Sequence, residues 1–237
     1  MSHRDFELLK GKINVVGSFG SLSDLLNVDL GSLGEACDLV EIRLDLLPVT
    51  DDESAAPWTM LGDFPILFTA RRKDEGSPLD LDAQARMRML ESILDRADCI
   101  DIEVASIGEM GAIIHEIRDR KIPWVASWHD FGKLPETDVL KEAAVRAKEA
   151  GAAAFKAAAR LASPADMARL AEFQLADHGI PVSTMGMGPL APVSRLLCAQ
   201  SGSVLNYGYL GATPTAPGQW DSALLKTAIS RLAPFPG

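Results

Sequence analysis

Positive charge is the scarcer sign in this 237-residue chain, in which 23 Lys and Arg face 33 Asp and Glu for a net charge of −10. That balance excludes nucleic acid or an anionic membrane surface as the general partner, because both require a basic face that displaces counterions. A local basic pocket for a small anion is compatible with it. Cysteine is scarce too. Cys37, Cys99 and Cys198 are odd in number and widely scattered, so they supply neither a disulfide framework nor metal-ligand spacing. Cys99 and Cys198 fall in apolar runs where buried thiols are common, and a reducing cytoplasm is the expected location. No segment reaches the roughly 20 apolar residues that cross a bilayer. The charged start MSHRDFELLKGK lacks the apolar stretch of a signal peptide, so no membrane partner is expected. No GxGxxG follows the first apolar run, which removes the dinucleotide-binding fingerprint. Linkers and low-complexity segments are also missing, and residues 1–237 read as a single domain.

What the chain does contain is a rhythm. Short apolar runs start at Ile13 (INVVGSF), Leu39 (LVEIRLD), Ile66 (ILFTARR) and Asp98 (DCIDIEV), then at Trp124 (WVASWHD), Ala153 (AAFKAAA), Ile180 (IPVSTMG) and Val204 (VLNYGYL). Their starts lie about 24 to 32 residues apart, one βα unit each. Helix-like spacing fills the gaps, as in Leu81 to Ala97 and Thr137 to Ala150, the second with Thr137 as expected N-cap and Gly151 as its stop. Eight near-equal units predict an α/β fold of the closed (β/α)8 TIM-barrel type. One segment opposes its own propensity: GAAAFKAAARLA would favour helix in isolation, but its spacing from its neighbours predicts a strand.

Parallel strands buried on both faces should be uniformly apolar, and several of these are not. Glu41, Arg43 and Asp45 alternate in VEIRLD and therefore project to one side. Arg71 lies at the end of the third run with Glu75 just beyond it, Asp101 and Glu103 share one side of the fourth, His129 lies at the end of the fifth, and Lys156 sits within the sixth. These groups fall toward the carboxyl ends of the strands, where barrel enzymes place their chemistry. Asp45 reads as structural, Arg72 and Lys73 as solvated loop residues, and His3, His115 and His178 as surface residues. A lysine among alanine and phenylalanine, with Arg43, Arg71 and Arg195 near it, is expected to favour the free amine that attacks a carbonyl. His129 lies one βα unit earlier, on the neighbouring strand, and histidine titrates closest to neutrality.

Six pieces in order carry a resemblance: VEIRLD, FTARRKDEG from Phe68, SWHDF from Ser127, the FKAAA lysine, MGPLAPVSRLLCA from Met187 and TAPGQ from Thr215. Over nearly its whole length the chain resembles the type I 3-dehydroquinate dehydratases of the shikimate pathway. The resemblance implies a Schiff-base lysine at Lys156, an acid/base histidine at His129 and its carboxylate partner at Glu75. It also implies a substrate-binding set of Ser18, Glu41, Arg43, Arg71, Arg195, Thr215 and Gln219, with 3-dehydroquinate as the small-molecule partner. No metal and no organic cofactor are expected, and the expected assembly is a homodimer. The sequence departs from the family pattern at Ser77, which replaces a glycine, at the missing proline before the lysine strand, at Ala191 and at Thr215, where serine is frequent.

On the residues alone, three other readings stay open. A class I aldolase would share the lysine and could hold a phosphate near Gly186, Gly188, Gly208 and Gly211. A metal-dependent barrel enzyme would use Glu41, Asp101, Glu103 and His129 as ligands. A small-molecule binder without activity would keep the pocket and lose the reaction.

Overall fold

Eight strands form one parallel sheet in this computed structural model, which describes Leu8, residues 11–47 and residues 56–233. They are β1 Asn14–Phe19, β2 Leu39–Arg43, β3 Ile66–Thr69, β4 Cys99–Glu103, β5 Trp124–Asp130, β6 Ala154–Arg160, β7 Val182–Met187 and β8 Leu205–Leu210. Neighbours pair in chain order from β1 to β7, and β8 returns to pair with β1. The seam between β7 and β8 is bridged by Val204 N–H to Val182 O at 3.2 Å and by the Ser183 hydroxyl to Leu205 O at 2.5 Å. This is the (β/α)8 barrel that the spacing predicts.

The helices are α1 Leu22–Leu26, α2 Leu33–Ala36, α3 Ala83–Glu91, α4 Gly111–Asp119, α5 Thr137–Glu149, α6 Pro164–Leu175, α7 Ala191–Gln200 and α8 Ser222–Ile229. Helix α3 is shorter than its apolar spacing suggests: Asp82 caps it by accepting from Ala85 N–H, and it gives way to turns after Glu91. In α5 the N-cap position is Glu136 rather than Thr137, because the Glu136 carbonyl already accepts the Leu140 N–H at 3.2 Å. Its end is as expected. Gly151 has φ of 82°, and the N–H groups of Gly151 and Ala152 return to the carbonyls of Lys148 and Ala147, which satisfies two orphan acceptors.

Strand β6 explains how alanine can lose its helical preference. Phe155, Ala157 and Ala159 join the cluster packed under the helices, where Phe155 meets Phe173 edge-on at 6.2 Å, while Ala154 and Ala158 face the barrel interior. Tertiary burial on both faces outweighs the few tenths of a kcal/mol of propensity per residue. Inside the barrel the side chains change character along the strand direction. Val16, Leu39, Leu67, Cys99, Val125, Ala154 and Leu205 form a dry floor, and two residues further along each strand the inward positions become Ser18, Glu41, Thr69, Asp101, Ser127, Lys156 and Tyr207. No described helix is long and apolar enough to cross a membrane.

Candidate active site

Above that floor lies a cavity of about 490 Å³, open to solvent and lined by all ten of the residues singled out from the sequence. Lys156 projects into it from β6 with a side chain only 4% exposed. Its Nζ lies 3.1 Å from Asp101 Oδ2 and 3.9 Å from the centre of the Tyr207 ring. Burial lowers the Lys156 pKa; Asp101 and Glu41 oppose that shift and Arg71 adds to it. Arg43 and Arg195 are not among the largest causes, whereas the sequence suggested three cooperating arginines. Arg43 is neutralised at close range, its Nε and Nη2 meeting the two oxygens of Asp45 at 2.8 and 2.6 Å.

His129 stands one strand away, on β5, in the register that pairs Ser127 with Lys156 and His129 with Ala158. Its Nδ1 faces Glu75 Oε2 at 2.9 Å, and the same oxygen accepts the His129 backbone N–H at 2.8 Å. Burial pushes the Glu75 carboxyl up to about 8, and burial with Arg71 and Lys156 pushes the imidazole well below its ordinary value. Both shifts favour uncharged partners, so the pair as a unit carries no net charge near neutral pH. Nε2, the opposite edge of the ring, has no hydrogen-bond partner among the described residues.

The two inner arginines are held by the protein itself. Arg71 Nη1 meets Asp101 Oδ1 at 2.8 Å, Glu103 Oε1 at 3.0 Å and Ser127 Oγ at 2.7 Å. Glu103 in turn binds Arg86 Nη1 at 2.8 Å and the Arg72 backbone N–H at 2.9 Å. Arg72 is therefore more than a solvated loop residue: its side chain is 25% exposed and pairs with Asp74, because Glu103 draws this loop inward. Lys73, 59% exposed and paired with Asp80, fits its expectation. Asp45 is structural as expected, holding Arg43 and the Arg71 backbone N–H. Ser18 faces Glu41 across β1 and β2 and donates to its Oε2, while Thr69 Oγ1 donates to Oε1 at 3.0 Å.

Arg195, buried in α7, differs from these. Its Nη1 donates to Tyr207 O at 2.5 Å, its Nε is buried without a partner, and no carboxylate among the described residues pairs with it. Burial lowers its pKa to about 10, which leaves it cationic at neutral pH. Of the cations lining the cavity, Arg195 alone lacks a described acidic partner. Opposite it, Gln219 Oε1 accepts from Thr215 N–H, Thr215 Oγ1 and Ala216 N–H, so the TAPGQ loop is held in shape by one side-chain carbonyl. Pro217 O accepts the Gly188 N–H at 3.0 Å and seats this loop on the start of α7.

Those contacts bear on the rival readings. A phosphate cradle needs free backbone N–H groups, but Gly186 N–H donates to Ser194 Oγ at 3.1 Å and Gly188 N–H is taken by Pro217. The four acidic and imidazole groups of the metal reading are each engaged elsewhere, and no three His, Cys, Asp or Glu among the described residues gather as metal ligands. Of the peripheral histidines, His115 is exposed, whereas His178 is half-buried past α6, where it stacks on Phe173 at 4.1 Å and bonds Phe173 O at 2.7 Å. His3 lies outside the described residues. All three cysteines are buried and free.

Sequence reasoning placed Asp101 beside Glu103 without seeing it as the partner of Lys156, and it gave no role to Ser127, Tyr207 or the rim residue Phe131. A signal existed for two of them. Asp101 and Ser127 occupy inward positions by simple alternation, two residues before Glu103 and His129. Phe131 leans over Gly76, whose φ of 107° and lack of a Cβ admit the ring; an added Cβ would lie 2.8 Å from Phe131 Cζ.

An eight-stranded barrel that fills the carboxyl end of its interior with an amine, an imidazole and an unpaired guanidinium is an enzyme of the barrel class. Its family is specific. The type I 3-dehydroquinase family matches residues 16–233, and the chain belongs to it. It is 30% identical over 215 residues to the 3-dehydroquinate dehydratase of Methanothrix thermoacetophila, covering 91% of this chain and 90% of the relative. Identity to the 3-dehydroquinate dehydratase of Haloarcula marismortui is 32% over 205 residues, with 82% and 87% covered. The crystal structure of 3-dehydroquinate dehydratase from Geobacillus kaustophilus is similar in fold, with a TM-score of 0.79, 26% identity, and coverage of 92% of this chain and 90% of that one.

Proposed function

We propose that the chain dehydrates 3-dehydroquinate to 3-dehydroshikimate through an imine on Lys156, with His129 moving the protons and neither a metal nor an organic cofactor taking part. The observation that carries this reading is the convergence of Lys156 and His129, from adjacent strands, on one cavity that also holds Arg195 without a carboxylate partner. Lys156 as free amine attacks the C3 ketone, and water leaves to give an iminium ion. The cation draws electrons from the adjacent C2–H bond, so His129 can take that proton through Nε2. The enamine then expels the C1 hydroxyl, which leaves as water with a proton from His129. Hydrolysis of the imine restores Lys156. General acid–base help of this kind contributes about 10²- to 10⁴-fold. Glu75 orients the imidazole through Nδ1, and Arg195 offers a planar fork to the substrate carboxylate.

The test is incubation with 3-dehydroquinate while the ultraviolet absorbance of the conjugated enone is monitored. Borohydride added during turnover should inactivate the enzyme and leave the ligand on Lys156, and Lys156→Ala should lose nearly all turnover. Folded protein that produced no enone would overturn the reaction; an adduct mapped to another lysine would overturn the nucleophile.

A further inference from the structure

Asp101 lies on β4, two strands from Lys156, and its carboxylate is completely buried. Three donors surround it: Arg71 Nη1 at 2.8 Å and Ser127 Oγ at 2.6 Å on Oδ1, and Lys156 Nζ at 3.1 Å on Oδ2. The Tyr207 ring lies under the same nitrogen, 3.9 Å away. For a lysine that must shed its proton before it attacks, this seat is paradoxical, since a carboxylate and an aromatic face both favour the ammonium. A cavity built only to free the amine would place an apolar side chain there.

The paradox disappears if the seat serves the cationic intermediate rather than the resting amine. We propose that Asp101 is the counter-ion of the iminium formed on Lys156, with Ser127 and Arg71 setting the strength of that charge; the proposal rests on the imine reading above. When the amine adds to the ketone, a C–N bond forms and the C–O bond breaks. The oxygen leaves as water with one proton from the nitrogen and one supplied by solvent, to which the cavity is open, and the nitrogen keeps one hydrogen and a positive charge. That N–H stays directed at Oδ2. The nitrogen is positive in the first iminium, neutral in the enamine and positive again once the C1 hydroxyl has left. A fixed carboxylate therefore favours imine formation and the final expulsion, the two steps that create the charge. Asp101 is not a proton acceptor in this scheme. Although burial pushes its carboxyl upward, Arg71 and Lys156 outweigh burial and hold it below the usual range.

The titratable and charged groups facing Lys156 are Glu41 from β2, Arg71 after β3, Asp101 and Cys99 from β4, His129 from β5 and Tyr207 from β8. Asp101 alone among them touches the nitrogen through a carboxylate oxygen.

The experiment traps the imine with borohydride as a function of pH, in the presence of saturating 3-dehydroquinate, and quantifies the Lys156 adduct by mass spectrometry. Asp101→Asn should shift the midpoint for adduct formation about one to three units toward lower pH, because the ammonium loses its partner. On the plateau its trapped fraction should fall about tenfold, because the iminium loses the same partner. Ser127→Ala leaves the carboxylate but removes one of its donors, so its midpoint should move the other way, to higher pH. If Asp101→Asn does not fold, Ser127→Ala decides alone. Midpoints and trapped fractions equal to those of the wild type would overturn the counter-ion and leave the imine standing. A wild type that traps no adduct would instead sink the imine reading itself.

Discussion

Glu75 Oε2 holds His129 twice, through Nδ1 at 2.9 Å and through the backbone N–H of the same residue at 2.8 Å. A ring gripped by its own main-chain partner cannot rotate without breaking its bond to that oxygen, so Nε2 is aimed at the cavity by covalent geometry and one carboxyl oxygen.

A pH dependence arises from that pair. Its extra proton is lost as pH rises through about 8, the value to which burial lifts Glu75. Only then is Nε2 a free base, with the remaining ring proton on Nδ1. In the reading proposed above, kcat/KM is expected to rise with pH and level off above about 8, and Glu75→Gln should lose that limb together with about 10²-fold in kcat. A wild-type profile that is flat across that value would place the base elsewhere.

His129→Ala should separate the steps. Imine formation needs the Lys156 amine, whereas C2 deprotonation needs Nε2, so the variant should stall with ligand attached. Intact-protein mass spectrometry would reveal the accumulated adduct; normal turnover would mean that another group takes the proton.

Arg195→Lys keeps the charge and loses the fork, and a lysine cannot both reach Tyr207 O and present two parallel N–H groups. KM should rise on the order of 10- to 100-fold if about 1.5–3 kcal/mol of charged hydrogen bonding is lost. Gln219→Ala should do less, because it removes neutral contacts. An unchanged KM in Arg195→Lys would transfer the carboxylate to Arg43 or Arg71, both of which already carry acidic partners.

Stability offers an independent check on the fold. A Cβ added at Gly186 would meet Ser194 Oγ at 2.3 Å and Leu161 Cδ1 at 2.5 Å, so β7 and α7 touch there with no room for a methyl group. Gly186→Ala should destabilise the protein by about 1–3 kcal/mol, read as a lower urea midpoint. Adding Ser194→Ala should recover part of the loss. A midpoint unchanged in the single variant would contradict this packing.

Much of this architecture was legible in the sequence because it rests on period. The spacing of apolar runs predicted eight strands, and it outweighed the helical propensity of the alanines around Lys156 because β6 is buried on both faces. Alternation also placed Glu41, Arg43, Asp101, Glu103 and His129 on inward positions. Partners were harder to read. Alternation says which face a side chain takes, but the Asp101–Lys156 contact spans β5 and exists only once the sheet curls into a barrel. Arg43 lines the cavity as its position on the strand suggested, but its partner was equally hidden. Its bidentate hold on Asp45, two residues away, depends on the backbone turning immediately after β2. The Thr137 cap failed on a smaller point, the choice of which carbonyl opens the helical ladder.

The dry floor of the barrel has one more consequence, which concerns traffic. Val16, Leu39, Leu67, Val125 and Leu205 are essentially inaccessible, so the chamber above them is closed at its base, while Phe131, Thr215, Ala216 and Gln219 line it toward the carboxyl ends of the strands. Nothing passes through that floor, so traffic runs at the opposite end. On the reading proposed above, water set free near Lys156 must travel toward the carboxyl ends of the strands to reach solvent, so arrivals and departures share that end of the barrel and are ordered by its shape as well as by the chemistry within it.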